Sequence, residues 1–328
     1  MRVVDSHFHW FPRSHFEKMS ARLEHPRTER NGDGYKYHFD NHGGYLPLPA
    51  VWYDLDAGLA LTDETTGSDT AVVCTTGVLS GLMDMLPTKD AIDLAASYNE
   101  EIAAAQRQHA GKFFGTATVP LQDTKEALAL VDHAIVDLGL IGINLPAATG
   151  DGETIDAARL EPFYSRVEEL GVPLMIHPTD FAFNDVLPGY DGGIHRTIGR
   201  LLDSSVTVLR LVFSGIMERH PDLKIVQSHA GGLNPYQAGR IDKNARIKEL
   251  PSAPSKYLKK IYVDTVAPQP LTIRTAVEFY GADNVLYGTD HPCWSPPAAR
   301  NVITDSLLSP EDESRVMSEN AHALFNLS

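Results

Sequence analysis

The 328-residue chain holds only two cysteines, Cys74 and Cys293, too few for a disulfide scaffold and in keeping with a reducing compartment. It contains no run of 18 apolar residues and opens on "MRVVDSHF" with no long apolar leader, so the expectation is a soluble, cytoplasmic protein. Positive charge is scarce as well: 28 Lys and Arg against 43 Asp and Glu give a net charge of −15. Such a surface repels nucleic acid and anionic membranes, leaving a small-molecule ligand as the expected partner. Glycine-rich phosphate fingerprints are missing after the first apolar run, which argues against a dinucleotide-binding or P-loop fold. Internal repeats, low-complexity tracts and interdomain linkers are also absent.

What the chain does have is alternation. Eight short apolar runs, at 2–9, 70–75, 113–119, 141–145, 172–177, 223–229, 260–265 and 284–290, read as strands. Amphipathic segments such as 88–111, 124–139 and 158–171 lie between them, with apolar residues spaced by three and four, and glycine closing several. Strands joined by right-handed helical crossovers run parallel, and eight such units predict a (β/α)8 TIM barrel spanning 1–328 as one domain. At 43% hydrophobic residues, the chain can bury the core this requires. One segment breaks the rhythm: from Trp10 to about Asp69 the chain is rich in Gly, Pro and aromatics, and is expected to form a long insertion after strand 1, at the barrel mouth or, alternatively, on the peripheral surface. A second excursion, 178–197, follows strand 5.

Chemistry-bearing residues recur where these strands end. His7 and His9, two apart on extended backbone, share one face at the end of strand 1. His177 ends strand 5, His229 strand 6 and Asp290 strand 8. Singly, each histidine also fits a hydrogen-bonded core role. In a barrel, however, the C-terminal strand ends converge on one opening, where three imidazoles and a carboxylate make a site for Zn2+, or for Mn2+, Fe2+ or Co2+. The fifth group is then free to handle protons.

The motifs "DSHFH", "IHPTD", "HPDLKIVQSHAGG" and "NVLYGTDHP" resemble those of the amidohydrolase superfamily, and most closely its branch that includes aminocarboxymuconate semialdehyde decarboxylase. The resemblance runs through essentially the whole chain. It implies that His7, His9, His177 and Asp290 hold the metal and that His229 transfers protons, with Asp290 a second candidate for managing the proton. It implies one metal rather than two, since Asn144 stands near where binuclear relatives carry a bridging lysine. It also implies that Arg240 reaches a neighbouring subunit's site, and hence a homodimer.

The function this implies is non-oxidative decarboxylation of a small aromatic or unsaturated carboxylic acid; hydrolysis of a lactone, amide or thioester, or hydration of an unsaturated acid, is the alternative. A further alternative is a metal-binding barrel without activity. One departure bears on the substrate. The branch's carboxylate-binding arginine has no counterpart here, because no arginine occurs between Arg30 and Arg107, so a dicarboxylic muconate is disfavoured. Trp10, Trp52, Tyr53, Phe181 and Trp294 are the aromatics expected to line a pocket for a flatter, less charged acid, with His195 and Arg196 as alternative anion contacts. Ordinary packing is the competing reading for the aromatics, as is a solvated loop for His195 and Arg196. The sequence identifies no separate base that would make Cys293 a nucleophile, and His291 reads as structural.

Overall fold

A computed structural model describes residues 2–39, 45–77, 79–147, 153–179, 194–248 and 250–327. Twelve strands occur among them: β1 (Val3–Phe8), β2 (Arg27–Asn31), β3 (Gly34–His38), β4 (Tyr45–Leu48), β5 (Thr70–Cys74), β6 (Phe113–Gly115), β7 (Ala117–Thr118), β8 (Ile143–Pro146), β9 (Leu174–His177), β10 (Ile225–Gln227), β11 (Tyr262–Asp264) and β12 (Val285–Leu286). β1, β5 and β6 pair in parallel, as do β7 through β12 in sequence order. β6 and β7 are two halves of one staggered strand, since the Thr116 amide between them still donates to the Cys74 carbonyl at 3.1 Å. The ring closes where Ser6 N–H donates to Tyr287 O at 2.8 Å and Phe8 bridges His291 in parallel. All eight expected strand regions thus contribute to one (β/α)8 barrel.

The strands hold because both their faces are covered. Val72, Val73, Leu174, Ile225 and Val263 are all buried, as near-continuous apolar runs in a parallel sheet must be. Helices seal the outside. On Thr88–Gln108 the residues Ala91, Leu94, Ala95, Tyr98 and Ile102 repeat at helical spacing and are buried against the sheet side.

The excursion after β1 has structure of its own. It contains a helix (Arg13–Ser20) and the antiparallel sheet β2–β3–β4, whose first turn follows the sequence Asn31-Gly32-Asp33-Gly34 with Gly32 in the left-handed region at φ 60°. It ends earlier than the sequence reading put it. Leu55–Thr66 is the crossover helix leading into β5, started by Asp54, whose carboxylate accepts from Ala57 N–H at 3.1 Å, and stopped by left-handed Gly67. No helix among the described residues is long and apolar enough to cross a membrane.

Candidate metal centre and substrate cavity

Period-two geometry along β1 builds the first half of the site. Asp5, His7 and His9 share one face of the strand and point into the barrel, while Phe8 points outward and stacks on His291 with ring centroids 4.9 Å apart. Asp5 sits below the histidines: its Oδ1 accepts from the Thr289 amide at 3.0 Å and its Oδ2 from the Thr289 hydroxyl at 2.6 Å. This ties β1 to the segment that carries Asp290. Burial raises the Asp5 carboxyl to about 6 despite these donors.

His7, His9, His177 and Asp290 are buried and offer ligand atoms that all lie within 4.8 Å of one another. Each imidazole is turned by its other nitrogen. His7 Nδ1 lies 2.6 Å from Asp264 Oδ2, His9 Nδ1 2.9 Å from the Thr75 carbonyl, and His177 Nδ1 2.7 Å from the Pro178 carbonyl. All three acceptors place a proton on Nδ1, which turns every Nε2 toward the centre. Asp290 Oδ1 completes the set, 2.9 Å from His9 Nε2 and 3.3 Å from His7 Nε2. Four such donors fit a divalent transition ion.

The electrostatics point the same way. Burial pulls His7 toward the neutral form, but the carboxylates of Asp290 and Asp264 win and raise it to about 10. Burial likewise opposes ionisation of Asp290, yet His7, His229 and His9 hold its carboxyl well below the usual range. His177 is pushed far down by burial and by the neighbouring imidazoles, and His9 is lowered chiefly by burial. Two ionised carboxylates facing crowded imidazoles therefore draw positive charge to the centre, which a proton on His7 supplies in the empty site and a divalent cation would supply in its place.

His229 stands beside the set rather than in it. Its Nε2 is 3.6 Å from Asp290 Oδ2, its Nδ1 3.1 Å from Ser228 Oγ, and its ring 5.3 Å from that of His177. His229, Ala230 and Asp290 all have left-handed backbone, with φ of 57°, 52° and 58°. Such conformations cost on the order of 1–3 kcal/mol each in a residue with a Cβ and persist only where surroundings over-determine them.

Asp264 is the residue that sequence reading missed. It ends β11, as the other site residues end their strands, but a carboxylate that acts through another side chain carries no spacing signature. Its Oδ2 orients His7, while its Oδ1 accepts from the amides of Ala230 at 3.1 Å and Val266 at 3.0 Å. One carboxylate therefore steadies both a candidate metal donor and the strained turn after His229. We expect Asp264→Asn to weaken metal affinity by roughly 10–100-fold, read by competition against a chelator; an affinity unchanged within twofold would remove Asp264 from this role.

Above the centre lies a cavity of about 740 Å3, reached by His9, His177, His229 and Asp290 from below. Trp52, Arg196 and Trp294 line it, and the Trp52 ring stacks nearly parallel to His9, 6.2 Å away at 11°. Gly77 lines it too, at φ 55°, where a Cβ would sit 2.7 Å from the His9 ring. Trp10 is not part of this wall. As the residue after His9 it points the opposite way and packs edge-on against Phe113 at 5.7 Å. Tyr53 also turns aside, donating its hydroxyl to the Asp33 carbonyl. Arg240 is exposed on the helix Asn234–Asn244 and is not among the cavity residues of its own chain. Phe181 and the side chain of His195 lie outside the described residues. Asn144 is spent on Thr116, Ala117 and Thr76, so its amide does not reach for the centre.

The profile of the family described as amidohydrolase matches residues 4–327. The chain belongs to the amidohydrolase family. Within it, gamma-resorcylate decarboxylase of Rhizobium radiobacter is 30% identical over 254 residues, 73% of this chain and 78% of the relative. The 2-amino-3-carboxymuconate-6-semialdehyde decarboxylase of Dictyostelium discoideum is 30% identical over 210 residues, 62% of this chain and 58% of that relative. A dihydroxybenzoic acid decarboxylase from a Polaromonas species, solved with bound manganese and the inhibitor 2-nitroresorcinol, shares the fold with a TM-score of 0.82 at 21% identity, covering 99% of this chain and 97% of its own. This amidohydrolase thus falls in the branch that holds both named decarboxylases, as the strand-end motifs led us to expect.

Proposed function

We propose that this amidohydrolase is a metal-dependent, non-oxidative decarboxylase of aromatic carboxylic acids. The observation that carries the reading is the division of labour at the centre: four donors aimed at one point, and His229 left outside them, facing the same cavity. The naming of two relatives as decarboxylases supports it. His7, His9 and His177 through Nε2, and Asp290 through Oδ1, are the residues that would hold the ion, with zinc or manganese as candidates. Bound there, a divalent cation would fix the acid's oxygens and lower the pKa of a ring hydroxyl, whose deprotonated form feeds electron density to the carbon that takes the proton.

The rest falls to the chain. Trp52 and Trp294 offer flat faces that hold an aromatic ring in plane, and the apolar walls exclude water. His229 gives a proton to the ring carbon that bears the carboxylate, at the expense of a π pair of the ring. The carbon–carbon bond then breaks, its electron pair restores the aromatic ring, and CO2 leaves. Asp290 Oδ2, facing His229 Nε2, stabilises the imidazolium before transfer and helps it recover a proton afterwards.

The test is incubation of the metal-loaded protein with 2,6-dihydroxybenzoate and related hydroxybenzoates, following CO2 release and the decarboxylated phenol. Stoichiometric appearance of both supports the proposal. Turnover of lactones or amides, with no CO2 from any aromatic acid, would replace it with metal-dependent hydrolysis.

A further inference from the structure

The cavity is much larger than a one-ring acid needs. If every non-hydrogen atom of a dihydroxybenzoate is granted the roughly 30 Å3 that a water molecule occupies in the liquid, the acid still fills less than half of the 740 Å3 available. The surplus is bounded by a particular chemistry. Beyond the centre, Leu46, Pro47, Ile198, Leu233 and Pro268 supply apolar lining, with Arg196, Thr197 and Arg200 beside Ile198. Leu46 and Pro47 come from β4, so one wall is built by the excursion sheet rather than by the barrel.

A second observation concerns exposure. Ile198 and Tyr236 both line this cavity and are each 48% exposed, in contrast to the buried core. Large apolar side chains gathered around a cavity and left open to water constitute surface that a ligand would cover. Among the described residues Asp290 is the cavity's only carboxylate, and Arg196 and Arg200, which also line it, are the competing attraction, for an anionic group.

Building on the decarboxylase reading, we propose that the natural substrate is an aromatic acid carrying an apolar substituent of several carbons, held between the β4 wall and Ile198. The metal end recognises the acid and the distal walls recognise the substituent. Each methylene buried there should raise kcat/KM by up to about fourfold, until the cavity is filled.

The experiment uses 2,6-dihydroxybenzoates bearing a 4-alkyl chain from methyl to pentyl, beside a 4-carboxymethyl analogue, with CO2 release as the readout. In parallel, calorimetry measures how tightly the matching 5-alkylresorcinols bind the metal-loaded protein, so that binding is read whether or not decarboxylation occurs. The proposal expects kcat/KM and affinity to climb together with chain length, and Ile198→Asn to lower the pentyl-to-methyl ratio by tenfold or more. Affinity that is flat or falls with chain length, or a preference for the carboxymethyl compound, would overturn it. Rising affinity without CO2 release would instead uphold the pocket assignment and sink decarboxylation alone.

Discussion

Replacing His229 by Asn is expected to lower kcat by a factor on the order of 10^2–10^4 while leaving the metal in place, the range associated with loss of a positioned proton donor. Asn is the informative choice. His229 has left-handed backbone, at φ 57°, a conformation Asn tolerates several-fold better than most residues, so the turn and its anchor on Asp264 survive the change. Ala would confound loss of the imidazole with relaxation of the turn. Because His229 lies outside the four-donor set, elemental analysis should give the same metal content as for the parent protein. Since the proton moves only in the transition state, kcat and kcat/KM should fall together with KM little altered. Turnover within threefold of the parent would show that another group protonates carbon, and loss of the metal would make His229 part of the centre.

The double variant His7→Ala/His9→Ala is expected to abolish both metal content and activity, from about one equivalent in the parent to none. It should also destabilise the fold. Asp264 and Asp290 are buried, and truncating the imidazoles between them leaves their charge uncompensated, a loss of about 3–5 kcal/mol for breaking a buried pair. Differential scanning calorimetry reads that loss separately from activity. The parent protein stripped by a chelator provides the companion measurement. Without a cation, His7 keeps its proton up to about pH 10, so metal uptake below that pH must expel it. Apparent affinity should therefore rise about tenfold per pH unit toward that limit, with one proton released per ion bound. A pH-independent affinity would mean that His7 is already neutral in the empty centre.

Much of this arrangement was legible because parallel barrels write themselves plainly. A strand buried on both faces must be an apolar run, and its C-terminal end is where polar chemistry can reach the opening, so His7, His177 and Asp290 stood out against their strands. The misses have equally physical causes. Trp10 follows the histidine pair closely enough to suggest the mouth, yet alternation along a strand sends it to the opposite side from His9, against Phe113. Asp264 also ends a strand, but its partners are a histidine 257 residues away and backbone amides that only the folded chain brings near. The excursion after β1 was visible as an interruption; its hairpin signal, Asn31-Gly32-Asp33-Gly34, was present, but antiparallel pairing between β3 and β4 depends on packing that Tyr35 and Tyr37 find only in the assembled core. Leu55–Thr66 was absorbed into that interruption because composition changes little at Asp54, where a single capping carboxylate marks the start of the helix.

The barrel is sealed by hydrogen bonds from its first strand to its last, and the His9–Asp290 contact alone spans 281 residues of chain. Synthesis therefore releases His7 and His9 well before Asp290, so a chain that has not yet reached Asp290 lacks one of the four candidate donors. Contacts of such long reach make folding slow, because closing so wide a loop costs entropy before any contact repays it. The four-donor set is thus complete only once Asp290 is in place, and a chain cut anywhere before it would lack that set.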